Sequence, residues 1–247
     1  MQPDALPDEV TFPGVLASAA RLYRARFKLA AVLFAVISFA ITALALLGLT
    51  EVGKLQLIAA FLSQIILPSI LGSIAVAAAA LIYEGAVKDR LVTIRDAVDA
   101  LKPMQRDIFM ASLFSSMLAL WSIILLGQFG LVLLPLFFGP PIIIQAIAIE
   151  KLSVRDARSR AREILRGRTG RVLLYLLVIA LGIGLLGGAV LVTVGLAIDA
   201  ALDGALLFTA YSVVQVLVAA LTLPFMAAAV YVCYATLVRI KDAEATA

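Results

Sequence analysis

Long apolar runs alternate along this chain with short polar stretches that hold nearly all of its charge. A helix needs about 20 apolar residues to cross the hydrocarbon of a bilayer. Six segments reach that length: 29–49, 56–83, 108–127, 129–149, 172–198 and 205–238. The third and fourth are separated only by GQFG at 127–130, a hairpin turn signal. The turns after the first and fifth, TEVGKL and DAALDG, are equally short. The last run is longer than a bilayer requires, so it tilts, bends at Pro224 or projects past the membrane surface. No stretch reads as a strand. The pattern predicts an all-α polytopic membrane protein with six transmembrane helices, one membrane domain over residues 1–247.

Charge orients the spans. Of the 20 Lys and Arg, 19 fall in four segments: Arg21 to Lys28, Lys88 to Arg106, Lys151 to Arg171, and Arg239 with Lys241. Short loops rich in Lys and Arg stay cytoplasmic. Both termini are therefore expected on the cytoplasmic side, with only Lys54 among the basic residues facing out, beside Glu51, Asp199 and Asp203. Composition agrees: 64% hydrophobic and 15% charged, against nearer half apolar and a quarter charged in soluble domains. The first run, about 21 residues preceded by a long basic lead, reads as an uncleaved span rather than a signal peptide.

A threefold repeat underlies the pattern. TFPGVLASA from Thr11, TIRDAVDAL from Thr93 and SVRDARSRA from Ser153 align without gaps. Each opens on a hydroxyl residue able to cap a helix, and Asp96 and Asp156 stand three residues on, a short-armed capping box. Apolar positions recur at helical spacing: Val15, Leu16 and Ala19; Ala97, Val98 and Leu101; Ala157 and Ala161. Each surface helix leads into a hairpin of two spans, and the second span carries a proline followed 15 or 16 residues later by a charged exit: Pro68 and Glu84, Pro135 and Glu150, Pro224 and Arg239. The units run over about 11–86, 93–150 and 153–241. Repeats of this kind occur in transporters and also arise by duplication of a stable bundle unit.

Several residue sets carry candidate chemistry, each beside a plainer reading. Pro135, Pro140 and Pro141 share one span and, with Pro68 and Pro224, are candidate helix bends; a break would line a cavity, a packed kink would not. Glu84, Glu150 and Arg239 form a candidate interfacial charge cluster if the units surround an axis, or are helix-end charges with local partners. Gly184 and Gly188, in GIGLLGG, are candidates for helix packing within the chain or between chains. Gln64, Gln145 and Gln215 are expected to be buried amides bonded between helices; Tyr83, Tyr175, Tyr231 and Tyr234 suit an aromatic belt. Arg155, Arg158, Arg162 and Arg166 form a basic stripe beside the apolar stripe of the third surface helix, a candidate contact for anionic lipid at the cytoplasmic face or for an acidic partner. Nucleic acid is not expected, because no aromatics interleave with the arginines. The chain has no histidine and one cysteine, Cys233, in an apolar run, so its expected role is packing. No catalytic, cofactor or metal-ligating set is visible, and the expectation is a protein without enzymatic activity.

The order of these features resembles the membrane domain of glycerophosphoryl diester phosphodiesterases and related small bacterial inner-membrane proteins. FPGVLASAARLYRARFK, LPLFFGPPIIIQAIAIEKLSVRDARSRAREILRGRTGRVL and LPFMAAAVYVCYATLVRIKDA carry the resemblance, which covers nearly the whole chain. It implies a multi-pass protein of the bacterial inner membrane. In the enzymes that name the family a soluble phosphodiesterase domain follows, whereas this sequence ends at Ala247, so their catalysis does not carry over. The functions expected are scaffold or accessory subunit of a membrane complex or envelope process, transport of lipid or small solute through the bundle, or the membrane half of a split lipid-phosphodiesterase system. The expected partners are membrane lipids together with a membrane protein or a second copy of the chain.

Overall fold

The computed structural model describes residues 6–49, 66–126, 134–199 and 204–246, with side chains over 6–43, 66–117, 141–199 and 209–246. Every regular element among them is helical: α1 Phe12–Leu49, α2 Leu67–Val87, α3 Ile94–Leu101 with a 3₁₀ turn Lys102–Met104, α4 Gln105–Leu126, α5 Leu134–Glu150, α6 Val154–Leu165, α7 Thr169–Asp199 and α8 Gly204–Thr246. Among the described residues four stretches are long and apolar enough to cross a membrane: Phe12–Ala43, Leu67–Val87, Thr169–Asp199 and Thr209–Thr246. Much of this apolar surface is exposed, including Val36, Phe39, Leu185, Leu186 and Leu196. Water would not tolerate so large a contiguous patch, and the fold is that of an all-helical membrane protein. Helices α4 and α5 overlap the expected spans 108–127 and 129–149 but are not among these four stretches. The turns at 50–55 and 127–130, Gln64, and Asp203 lie outside the described residues.

Three helices form the interior. Toward their C-terminal ends α2, α5 and α8 bury Ala75, Ala77 to Ala80, Ile142, Ile147, and Ala227 to Ala229. Alanine lets backbones approach closely where no hydrophobic force separates core from lipid. Around them, α1 packs along α8 and against α2, α4 packs on α2 and α5, and α7 lies mainly along α8. The α7–α8 hairpin is antiparallel: a Cβ on Gly187 would meet Val218, and one on Gly195 would meet Tyr211.

The three capped segments differ in how they end. Only α3 and α6 are separate surface helices; α1 runs from the surface segment into the span as one helix, kinked at Arg26 (φ −124°, ψ 20°). The residues explain this. Pro103 opens the turn after α3. Gly167, at φ +78°, stands two residues after Leu165, the last residue of α6, in the left-handed conformation that glycine adopts without strain. No Pro or Gly stands between Arg21 and Leu29, so nothing stops the helix. Equivalent positions nonetheless seat alike. Val15, Ala97 and Ala157 are fully buried, whereas Leu16 and Val98 are 39% and 38% exposed.

Proline acts differently at different places. Pro68 sits in the first turn of α2, where a missing N–H costs nothing, so it is not a bend in the described helix. Pro135, Pro140 and Pro141 all lie in α5, the first two outside the described side chains and Pro141 half-buried. Pro224 lies inside α8, where it removes a backbone donor. Two tyrosine hydroxyls donate to the carbonyls nearby, Tyr23 to Leu221 at 2.9 Å and Tyr83 to Pro224 at 2.8 Å.

Candidate functional site

The charged segments of the sequence meet at one end of the bundle. Asp8 pairs with Arg239, and Arg168 donates to Glu244 at 2.8 Å. Arg26, at the kink of α1, donates to the Arg90 carbonyl at 3.1 Å. The Val154 N–H, opening α6, donates to Asp107 of α4 at 3.0 Å. Residues remote in sequence, from the N-terminal segment to the end of α8, thus build one polar face under the apolar bundle.

The centre of that face is Arg160. It stands three residues after buried Ala157 and four before buried Ile164, on the side of α6 that meets the core. A charge in that stripe needs partners, and it has three. Its Nε bonds both oxygens of Glu150, at 3.1 and 3.3 Å; Asp242 lies 3.4 Å and Glu163 3.6 Å from its other nitrogens. Burial works against the charge of this guanidinium, but Glu150, Asp242 and Glu163 prevail and raise its pKa above the usual arginine value. Tyr234 donates to Glu150 as well. The arginine and the glutamate are 22% and 25% exposed, so the pair is partly buried rather than an exposed surface bridge.

The expected cluster of Glu84, Glu150 and Arg239 is only partly assembled. Tyr234 lies within electrostatic range of both glutamates. Glu84, however, pairs locally with Lys88 at 2.5 Å, and Arg239 turns to Asp8 at the edge. The base that joins the cluster is Arg160, from a position that the repeat alignment matches to Ala100. Its signal in the sequence was its place within the buried stripe.

The basic stripe itself is on the surface. Arg155, Arg162 and Arg166 are exposed and make no ion pair among the described residues. Arg158 is half-buried, its guanidinium 4.5 Å from the centroid of the Phe114 ring, a cation–π contact with α4.

Other expected placements are corrected. Tyr83, Tyr231 and Tyr234 are interior, not an aromatic belt; Tyr175 alone is half-buried, with its ring 5.7 Å from Phe12. Gln215 is exposed, while Gln145 is fully buried with both amide atoms unpartnered, as is the hydroxyl of buried Thr236. Cys233 is buried. Gly187 makes the close approach of α7 to α8, whereas a Cβ added at Gly184 or Gly188 would meet nothing within 4 Å. These two line an open groove of about 380 Å³ between α7 and α8, together with Gln215, Leu191 and Thr222. An almost wholly apolar cavity of about 370 Å³ lies between α1 and α8, lined by Phe39, Thr42, Val213 and Leu217 among others. No family model matches the chain, and no curated protein or solved structure matches it.

Proposed function

We propose that this chain is a six-span protein of the cytoplasmic membrane, built of three helix-and-hairpin units with both termini in the cytoplasm, and that it serves without enzymatic activity as a scaffold or accessory subunit. The gathering of the basic segments at one end supports the orientation. The common burial of Val15, Ala97 and Ala157 supports the repeat. The exposure of Arg155, Arg162 and Arg166, without ion pairs among the described residues, supports a contact with anionic headgroups.

The outward side of α7 carries the reading. This helix is 31 residues long and leaves Leu181, Leu185, Leu186 and Leu196 exposed. Beside them is the groove with open Gly184 and Gly188 and the exposed amide of Gln215. Lipid tails cannot satisfy an amide, whereas a neighbouring helix can both bond it and use the small residues for close approach. Transport through the bundle is less supported, because the described interior between α2, α5 and α8 is filled by alanine and aliphatic side chains.

Site-directed cross-linking tests this. Cys233, the one cysteine, is buried, so Gly184→Cys reports alone to a thiol-reactive photo-cross-linker in native membranes. An adduct with a second protein or a second copy is expected. Adducts with lipid alone would end the scaffold reading.

A further inference from the structure

A second polar feature lies apart from the arginine stripe. Where the N-terminal segment crosses the start of α7 and the end of α8, a cavity of about 400 Å³ opens at the charged end of the bundle. Its walls are Asp8 and Glu9 on one side and Arg168 and Arg171 on the other; buried Val10 and Val172 form its floor. Its charges are unevenly used. Asp8 is held by Arg239, and Arg168 by Glu244. Glu9 and Arg171 are exposed and make no ion pair among the described residues, with each other or with anything else. One spare carboxylate and one spare guanidinium therefore face a shared space without closing on each other.

The location narrows what could fill that space. Arg171 is in the first turn of α7, which has no acidic side chain to occupy its N–H groups. Val172 opens the apolar run, and the exposed Leu174 and Val178 continue it into the membrane. An anion at Arg171 thus gains the guanidinium and the positive end of the helix. Glu9 offers an acceptor for a neighbouring cation. The apolar flank leads from the same mouth into hydrocarbon. A ligand that is cationic, anionic and apolar in that order fits these walls.

We infer that this cavity binds the phosphoethanolamine headgroup of a zwitterionic phospholipid, its phosphate on Arg171, its ammonium on Glu9 and its acyl chains along α7. The shared chemistry is a phosphate next to a primary ammonium, which a soluble phosphoamine also has; the lipid is the source that uses the apolar flank.

The test is native mass spectrometry of the full chain in mild detergent, titrated with phosphatidylethanolamine, phosphatidylglycerol and free O-phosphoethanolamine. Phosphatidylethanolamine is expected to bind most tightly. Arg171→Gln and Glu9→Gln should each weaken it by about tenfold, the worth of one charge-assisted contact. Glu9→Gln should leave phosphatidylglycerol unweakened, since that headgroup has no ammonium. Both changes are at exposed positions, and unaltered thermal unfolding midpoints would show that the variants fold. Equal affinity for the two lipids, or no response to Glu9→Gln, would overturn the inference. Free O-phosphoethanolamine binding as tightly as the lipid would overturn its membrane source.

Discussion

Helices α3 and α6 begin alike and diverge in what they do with charge. Each is capped by a hydroxyl that accepts from the N–H three residues on, Thr93 from Asp96 at 3.2 Å and Ser153 from Asp156 at 3.3 Å. Each buries an alanine four residues after the cap, Ala97 or Ala157. In α3 the charges close on one another: Asp99 meets Lys102 at 2.7 Å and Arg95 at 3.8 Å. In α6, Arg160 turns inward to Glu150, Arg158 lies over Phe114, and Arg155, Arg162 and Arg166 are left unpaired. The difference separates two roles that the sequence superimposes. A cap and a small residue seat the helix on the core. Charge beyond what the fold neutralises is left on the surface.

The largest break in the comparison comes from removing that surplus. Changing Arg155, Arg158, Arg162 and Arg166 together to Gln should weaken anionic-lipid binding by on the order of a hundredfold, at about 1 kcal/mol for each unpaired arginine. Arg95→Gln with Lys102→Gln should change it little. Titration of the full-length protein with phosphatidylglycerol measures both. Equal losses would show that net charge, not the α6 stripe, governs the contact. Next in size is Arg160→Ala, which gives α6 the residue that α3 has at Ala100. It leaves Glu150 without its base and should cost about 2 kcal/mol of stability in detergent. Glu150→Gln combined with Arg160→Met should cost less than Arg160→Ala alone. If the single change is harmless, the pair does not hold α6 in place.

Much of this was legible in the sequence, and the failures share one cause. The caps, the apolar stripes and the helical runs follow from local spacing, which the fold respects. What spacing cannot give is which side of an apolar helix meets protein and which meets lipid, because both surroundings are apolar. Ile82 and Leu185 look equivalent in the sequence, yet one is fully buried and the other 74% exposed. The same ambiguity put Tyr83, Tyr231 and Tyr234 at the membrane border when they are interior, and Gln215 inside when it is exposed. Runs of alanine, at 77–80 and 227–229, were the better guide to the inner face. Ion-pair partners fared similarly. Asp8 and Arg239 are 231 residues apart, and no periodicity joins them.

The smallest effects sharpen the comparison at the caps. Thr93→Ala and Ser153→Ala should each cost about 1 kcal/mol. They should differ in acid. The Thr93 hydroxyl, and then its backbone N–H, bonds the Asp96 carboxylate and holds its pKa below the usual carboxylate range. A carboxyl depressed in the folded state contributes stability above its unfolded pKa, about 4, and loses that contribution as pH falls through the folded value. Thr93→Ala removes the hydroxyl and should flatten this acid limb. Thermal unfolding between neutral pH and about pH 3 reads both variants. A protein with Thr93→Ala that keeps the full acid limb would place the titrating group elsewhere. Ser153→Ala leaves the Thr93 pair untouched, and also the Val154 bond to Asp107 that ties the start of α6 to α4. It should therefore leave the Asp96 part of the acid limb in place, as expected if α6 is anchored by its neighbour as well as by its own cap, whose Ser153 hydroxyl donates to Asp156 at 2.7 Å.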